Sequence, residues 1–321
     1  MEHIVFLDHE GISTAIQKMK PSFLHTWQDY EYTPQELIVE RLKDATIAMT
    51  CSVPLRKEQL SQLPNLRMIS MALTGTDIVD IEYCHENGIE VRNVPGYAEN
   101  TVAEHTLAMI FNLTRKTHNY HNLMRDINAG KAALQNLYLN YRVRDVKTLN
   151  LAIIGHGAIG RRLAELGRAV GMHVYFHDRF GQYIGEEYRD LNTLLKQCDV
   201  LAICCPLNAE THNLIHAEHL KMMKKDAIVV NTARGGIVNE KDLITALLNN
   251  QIGGVALDVV EEEPIQLDNP ILQLMEHPNF VLNPHVAWSS ENAMQGLMDR
   301  AIQNIQDFID QEQLKKGSGA A

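Results

Sequence analysis

Three polar residues close three apolar runs in the second half of this 321-residue chain. Arg234 follows Ile228-Val229-Val230-Asn231-Thr232-Ala233, and Glu263 follows Val255-Ala256-Leu257-Asp258-Val259-Val260. His285 lies in Asn283-Pro284-His285, just after the short run 280–282. Such runs read as strands, and open parallel sheets gather their chemistry at strand ends. Histidine exchanges a proton near neutral pH. A carboxylate beside it orients the ring and favours its charged form, and arginine grips a carboxylate with two donors. Each residue alone has an ordinary structural reading: a surface arginine, one member of the acidic run Glu261-Glu262-Glu263, and a turn histidine. In register at successive strand ends, they suit hydride exchange at an α-hydroxy acid.

A partner for that exchange is written at mid-chain. Gly155-His156-Gly157-Ala158-Ile159-Gly160 follows the apolar run Leu151-Ala152-Ile153-Ile154 and precedes a helical pattern from Arg161 to Gly167. Gly155 permits the tight turn, Gly157 lets the backbone approach a pyrophosphate, and Gly160 packs helix on strand. Asp178 ends the next apolar run, His173–His177, 18 residues past Gly160. A carboxylate there would bind ribose hydroxyls and repel a 2′-phosphate, which favours NAD over NADP, although the neighbouring Arg179 softens that preference.

The elements that must position these residues form two sets. From Leu151 onward, strand candidates at 151–154, 173–177, 200–204, 227–231, 254–257 and 280–282 alternate with helical patterns, as in a doubly wound Rossmann sheet. Before them, candidates at 3–7, 22–27, 46–51, 67–71 and 89–92 predict a smaller, flavodoxin-like α/β domain. A long helix is expected from Asn100, with Thr101 and Glu104 in capping-box spacing and Val102, Thr106, Met109, Ile110 and Leu113 on one face. Segment 126–147 lacks periodicity and is expected to be an arm or loop. Ala293, Leu297, Ala301, Ile305, Phe308 and Ile309 stripe a last helix, and 315–321 is expected to be disordered.

Composition excludes several classes. The net charge of −11 opposes non-specific nucleic-acid binding. No apolar stretch reaches membrane-spanning length, and the first residues are no signal peptide. Five cysteines without a CxxC pair fit a reduced, cytoplasmic setting, with Cys204 and Cys205 expected as buried thiols. His212, His216 and His219, and likewise His118 and His121, have helical spacing, but no cysteines or carboxylates surround them, so no metal is expected.

Over nearly its whole length the chain resembles the D-isomer-specific 2-hydroxyacid dehydrogenases. The matching segments are Thr74-Gly75-Thr76-Asp77-Ile78-Val79-Asp80, Asn93-Val94-Pro95-Gly96-Tyr97, Val102-Ala103-Glu104-His105 and the glycine turn. They continue with Cys205-Pro206-Leu207, Asn231-Thr232-Ala233-Arg234-Gly235-Gly236, Ala256-Leu257-Asp258-Val259 running to Glu263-Pro264, and Asn283-Pro284-His285-Val286-Ala287-Trp288. The resemblance implies an NAD-dependent enzyme in which His285 is the acid/base, Glu263 its partner and Arg234 the carboxylate clamp. It implies cofactor contacts from Gly155, Gly157, Ala158, Ile159, Gly160, Asp178, Cys205, Pro206, Thr211, Thr232, Ala233, Arg234 and Asp258, the last beside the nicotinamide. Substrate contacts would come from Thr74, Gly75, Tyr97, Arg234, His285 and Trp288.

The same resemblance implies a substrate domain in two pieces, 1–99 and 286–321, around an NAD-binding domain at 100–285, and a homodimer built on the helix near 101–115 and the arm after it. Among substrates it favours the glycerate dehydrogenase/hydroxypyruvate reductase branch, with D-lactate or phenyllactate as variants. Two departures stand out: Thr148-Leu149-Asn150 replaces a frequent glycine-lysine pair, and 129–141 lacks the usual Trp and Ser-rich stretch. Phosphoglycerate dehydrogenase is disfavoured by the absence of a regulatory domain after the last helix and by the acidic charge. Formate dehydrogenase is disfavoured by Glu263 where that branch carries glutamine. The rival reading is an NAD(H)-sensing corepressor on the same scaffold.

Overall fold

The computed structural model describes residues 1–17, 19–133, 141–178 and 185–318. Contacts divide the chain into two compact units, Met1–Ala98 with Ser289–Ala321, and Glu99–Trp288.

The first unit holds strands β1 (Glu2–Phe6), β2 (His25–Asp29), β3 (Ile47–Thr50), β4 (Met68–Met71) and β5 (Glu90–Arg92). They pair in parallel in the order β2-β1-β3-β4-β5, the flavodoxin-like arrangement. All four residues of β3 and of β4 are buried, as a sheet covered on both faces requires. The last helix, Glu291–Ser318, packs on this sheet. Ser70 Oγ donates to the Ala301 carbonyl at 2.8 Å and Asn304 Nδ2 to that of Asn93 at 3.0 Å. The expected stripe from Ala293 to Ile309 is buried throughout.

The second unit holds β6 (Asn150–Ile154), β7 (His173–His177), β8 (Tyr188–Arg189), β9 (Val200–Ile203), β10 (Ile228–Asn231), β11 (Gly254–Leu257) and β12 (Phe280–Leu282). The sheet order is β8-β7-β6-β9-β10-β11-β12, all parallel, so the chain direction across the sheet reverses between β6 and β9. That switch point is where doubly wound sheets bind ligands. The helix Glu99–Arg115 buries Val102, Thr106, Met109, Ile110 and Leu113 as its spacing predicts.

Several expectations need correction. The long helix begins at Glu99, so Thr101 stands inside its first turn rather than at a cap. The arm expected from 126 begins later, because Thr117–Asn128 is a helix, with Tyr120, Leu123, Met124 and Ile127 at helical spacing although none of its residues is fully buried. Residues 134–140 of that arm lie outside the described residues, as does Arg179. The tail expected to be disordered from 315 continues the last helix to Ser318, while 319–321 lie outside the described residues. Strand β8 was not foreseen. Cys204 and Cys205 are half-buried because they stand where β9 leaves the sheet. Val286–Trp288 stay with the second unit, since buried Asp258 holds the backbone N–H groups of Val286 and Ala287.

Candidate active site

The glycine turn joins β6 to the helix Ala158–Ala169. Gly155 has φ +115°, and a Cβ there would lie 2.5 Å from the Cys204 carbonyl oxygen, so the turn presses on the end of β9 at the switch point. A Cβ on Gly160 would meet the Gly155 carbonyl oxygen at 2.0 Å, which fixes helix against strand. Gly157 differs, because a Cβ there would meet nothing within 4 Å. The helix it caps has no side-chain cap and no acid in its first turn. The protein itself does not need glycine at 157, whereas an approaching pyrophosphate does, and the uncapped N–H groups suit an anion. The residues present therefore fit a dinucleotide.

Around this turn the other expected cofactor residues fall at the same sheet end. Asp178 follows β7, next to β6, and its N–H donates to the Arg189 carbonyl at 3.0 Å. Cys205 and Pro206 follow β9, and Thr211 Oγ1 closes their loop by donating to the Pro206 carbonyl at 2.7 Å. Thr232 and Ala233 follow β10, with Thr232 Oγ1 2.7 Å from Thr106 Oγ1. Asp258 follows β11 and is fully buried.

Arg234, Glu263 and His285 leave β10, β11 and β12 in turn. Asn231 fixes the Arg234 turn, accepting from the Ala233 N–H at 3.0 Å and donating to the Arg234 carbonyl at 2.8 Å. Gly235 then lies against the neighbouring loop so closely that a Cβ would come within 1.9 Å of the Val260 carbonyl oxygen. Glu263 Oε1 accepts from the Val260 N–H at 3.1 Å, and Oε2 meets His285 Nδ1 at 2.6 Å. Burial alone would raise the Glu263 pKa. The hydrogen bond from His285, the imidazole charge, the Val260 N–H and the Arg234 charge together hold it below the usual carboxylate value. An ionised Glu263 requires the proton on Nδ1 of His285, which leaves Nε2 to exchange a proton with a reacting oxygen. The His285 N–H donates to the Asp258 carbonyl at 2.7 Å, and Trp288 Nε1 donates to the His285 carbonyl at 3.0 Å.

Thr74, Gly75 and Tyr97 belong to the first unit. Thr74 follows β4, its hydroxyl donating to the Val94 carbonyl at 3.1 Å while its own carbonyl accepts from Asn93 at 2.6 Å. Tyr97 lies in the turn before the helix Glu99–Arg115. Sequence reading missed three contributors. Asn231 was read within a strand and a matching segment but given no role of its own, and His156 with Phe176 and Tyr188 forms an aromatic cluster behind the glycine turn. Glu240, which accepts the Glu261 N–H at 2.5 Å, gave no signal, because a polar first residue is ordinary for a helix.

Residues 107–287 match the model of the D-isomer specific 2-hydroxyacid dehydrogenase NAD-binding domain. The chain belongs to that family. It is 43% identical over 310 residues to a glycerate dehydrogenase of Methylorubrum extorquens, covering 95% of this chain and 96% of that one. It is 31% identical over 281 residues, 86% of each chain, to a hydroxypyruvate reductase of Blautia hydrogenotrophica. Among solved structures, the D-lactate dehydrogenase of Aquifex aeolicus, complexed with NAD and lactic acid, superposes with a TM-score of 0.78 at 27% identity, covering 98% of each chain. The protein is thus an NAD-dependent oxidoreductase of 2-hydroxy acids, acting on small hydroxy or oxo acids. Among the described residues, no helix is long and apolar enough to cross a membrane, and no cluster of three metal-ligating side chains occurs.

Proposed function

We propose that the protein interconverts D-glycerate and hydroxypyruvate, with His285 as acid/base, Glu263 as its orienting partner and Arg234 as the carboxylate clamp. The observation that carries the roles is the 2.6 Å contact between His285 Nδ1 and Glu263 Oε2, with Glu263 held ionised. When bound, NADH supplies the hydride. In that direction protonated His285 gives its Nε2 proton to the keto oxygen, and Glu263 stabilises the charged ring before transfer. Arg234 binds the substrate carboxylate through its planar fork and polarises the reacting carbonyl. Thr74 and Gly75 offer further donors to that carboxylate, and Tyr97 and Trp288 select the side chain. Gly155, Gly157, Ala158, Ile159, Gly160, Asp178, Cys205, Pro206, Thr211, Thr232, Ala233, Arg234 and Asp258 would hold the cofactor, Asp178 favouring NAD over NADP.

The substrate choice rests on the named relatives, a glycerate dehydrogenase and a hydroxypyruvate reductase. A panel of 2-oxo acids assayed by NADH absorbance tests it. Hydroxypyruvate should show the highest kcat/KM, and a higher value for pyruvate or phenylpyruvate would reject it. Tight NADH binding without turnover of any acid would favour the corepressor reading instead. We also place the enzyme in the cytoplasm, on an odd count of five cysteines without a CxxC pair, without membrane or nucleic-acid partners, and as a homodimer. The dimer would be built on the helix near 101–115 and the arm after it, and the helix Thr117–Asn128 between them, with its exposed Met124, would add to that face.

A further inference from the structure

His285 has φ +54°, a left-handed conformation that costs a residue with a Cβ. Such a backbone persists only where its surroundings over-determine it, and here those restraints converge on Asp258. The Asp258 carbonyl accepts the His285 N–H at 2.7 Å. The two carboxylate oxygens accept the N–H groups of Val286 and Ala287, at 2.9 and 2.8 Å. The Asp258 side chain is fully buried, and a buried carboxylate is stable only if its charge is answered.

Among the described residues, the basic side chain within 4 Å of Asp258 is His105, whose Nε2 lies 3.7 Å from Oδ1. That Nε2 is itself buried and has no hydrogen-bond partner. The separation is long for a hydrogen bond but short for an interaction between charges or dipoles in a low-dielectric interior. A bare lone pair at this distance would repel the carboxylate, so the proton belongs on Nε2. His105 is held in register by its neighbour Thr106, whose hydroxyl touches both the Val102 carbonyl and Thr232 Oγ1, each at 2.7 Å.

We infer that His105 is a positioning residue for the acid/base histidine: its Nε2–H answers the Asp258 charge, and Asp258 in turn holds the His285 loop. The inference rests on the assignment of His285 proposed above.

The test uses the full chain carrying Trp27→Phe, which leaves Trp288 as the single tryptophan of the two. Trp288 bonds the His285 carbonyl, so its emission reports this loop without cofactor or turnover. His105→Leu should lower kcat for hydroxypyruvate by roughly 10–100-fold, with KM and NADH Kd within about twofold, and should shift the Trp288 emission. His105→Gln, whose amide can stand in as the Nε2 donor, should restore kcat to within about threefold, together with the emission. Full kcat in His105→Leu, or equal loss in both variants, would overturn the inference. Should His105→Leu fail to fold, His105→Gln decides alone: near-normal kcat and emission support it, and a tenfold loss overturns it. Unimpaired turnover in His285→Ala would instead reject the assignment of His285, while the emission would still test His105.

Discussion

Gly235→Ala is a one-atom perturbation whose effect follows from backbone geometry. The added Cβ would stand 1.9 Å from the Val260 carbonyl oxygen, 2.0 Å from its carbon and 2.4 Å from the Glu261 nitrogen. No side chain can rotate away, because all three atoms are backbone. Opening the oxygen contact from 1.9 Å to the 3.0 Å floor of real Cβ contacts requires the two loops to part by about 1.1 Å. One loop carries Arg234. The other carries Glu263, tied to it through the Val260 N–H. Misplacement of that order costs about 100-fold in rate, and forced overpacking costs about 1–3 kcal/mol in stability. Steady-state oxidation of NADH should therefore show kcat/KM down by about two orders of magnitude. Thermal unfolding should show Tm lower by at least about 2 °C. Wild-type kinetics with an unchanged Tm would refute the reasoning, because the loops would then not be locked together at Gly235.

Three further outcomes are expected. Arg234→Ala should raise KM for the oxo acid strongly, by about 10-fold or more if the charge-assisted bonds are lost; an unchanged KM in steady-state kinetics would contradict the clamp. Glu263 has a folded pKa below its unfolded value, so its stabilisation is present above the usual carboxylate range and lost as pH falls through the folded value. The stability difference between wild type and Glu263→Gln, from denaturant titrations across acid pH, should shrink accordingly, and a constant difference would count against the dyad. Burial pushes Lys116 down to about 8, where its Nζ donates to Asn279 Oδ1 at 2.6 Å. Its protonation then penalises the fold: stability recovers as pH rises from about 8 to the ordinary lysine value near 10.5. Lys116→Met should abolish that rise and be more stable at neutral pH by about 2 kcal/mol, after loss of the Asn279 bond; an unaltered pH profile would refute the burial argument.

The parts of the fold that bury apolar surface were legible. The six expected strands of the second unit match β6, β7 and β9–β12 to within a residue or so, because parallel strands covered on both faces are continuous apolar runs. Elements without such a signature were not. Strand β8 is Tyr188–Arg189 alone, after two glutamates, and joins the sheet only through β7. The helix Thr117–Asn128 has a short stripe, Tyr120, Leu123, Met124 and Ile127, but its other residues are polar and none is fully buried. Within the site, Arg234, Glu263 and His285 were legible as strand ends. What holds them was not: Asn231 inside the Arg234 turn, Gly235 against Val260 and His105 beside Asp258 depend on three-dimensional proximity across as many as 153 positions.

The central claim is that His285, oriented by Glu263, moves the proton in reduction of a 2-oxo acid by NADH. Its most direct test is the turnover of hydroxypyruvate by wild type and His285→Ala, measured beside NADH binding. The variant should lose about 10²–10⁴ in kcat with NADH Kd nearly unchanged. Turnover within a few fold of wild type, or an equal collapse of NADH binding, would contradict it.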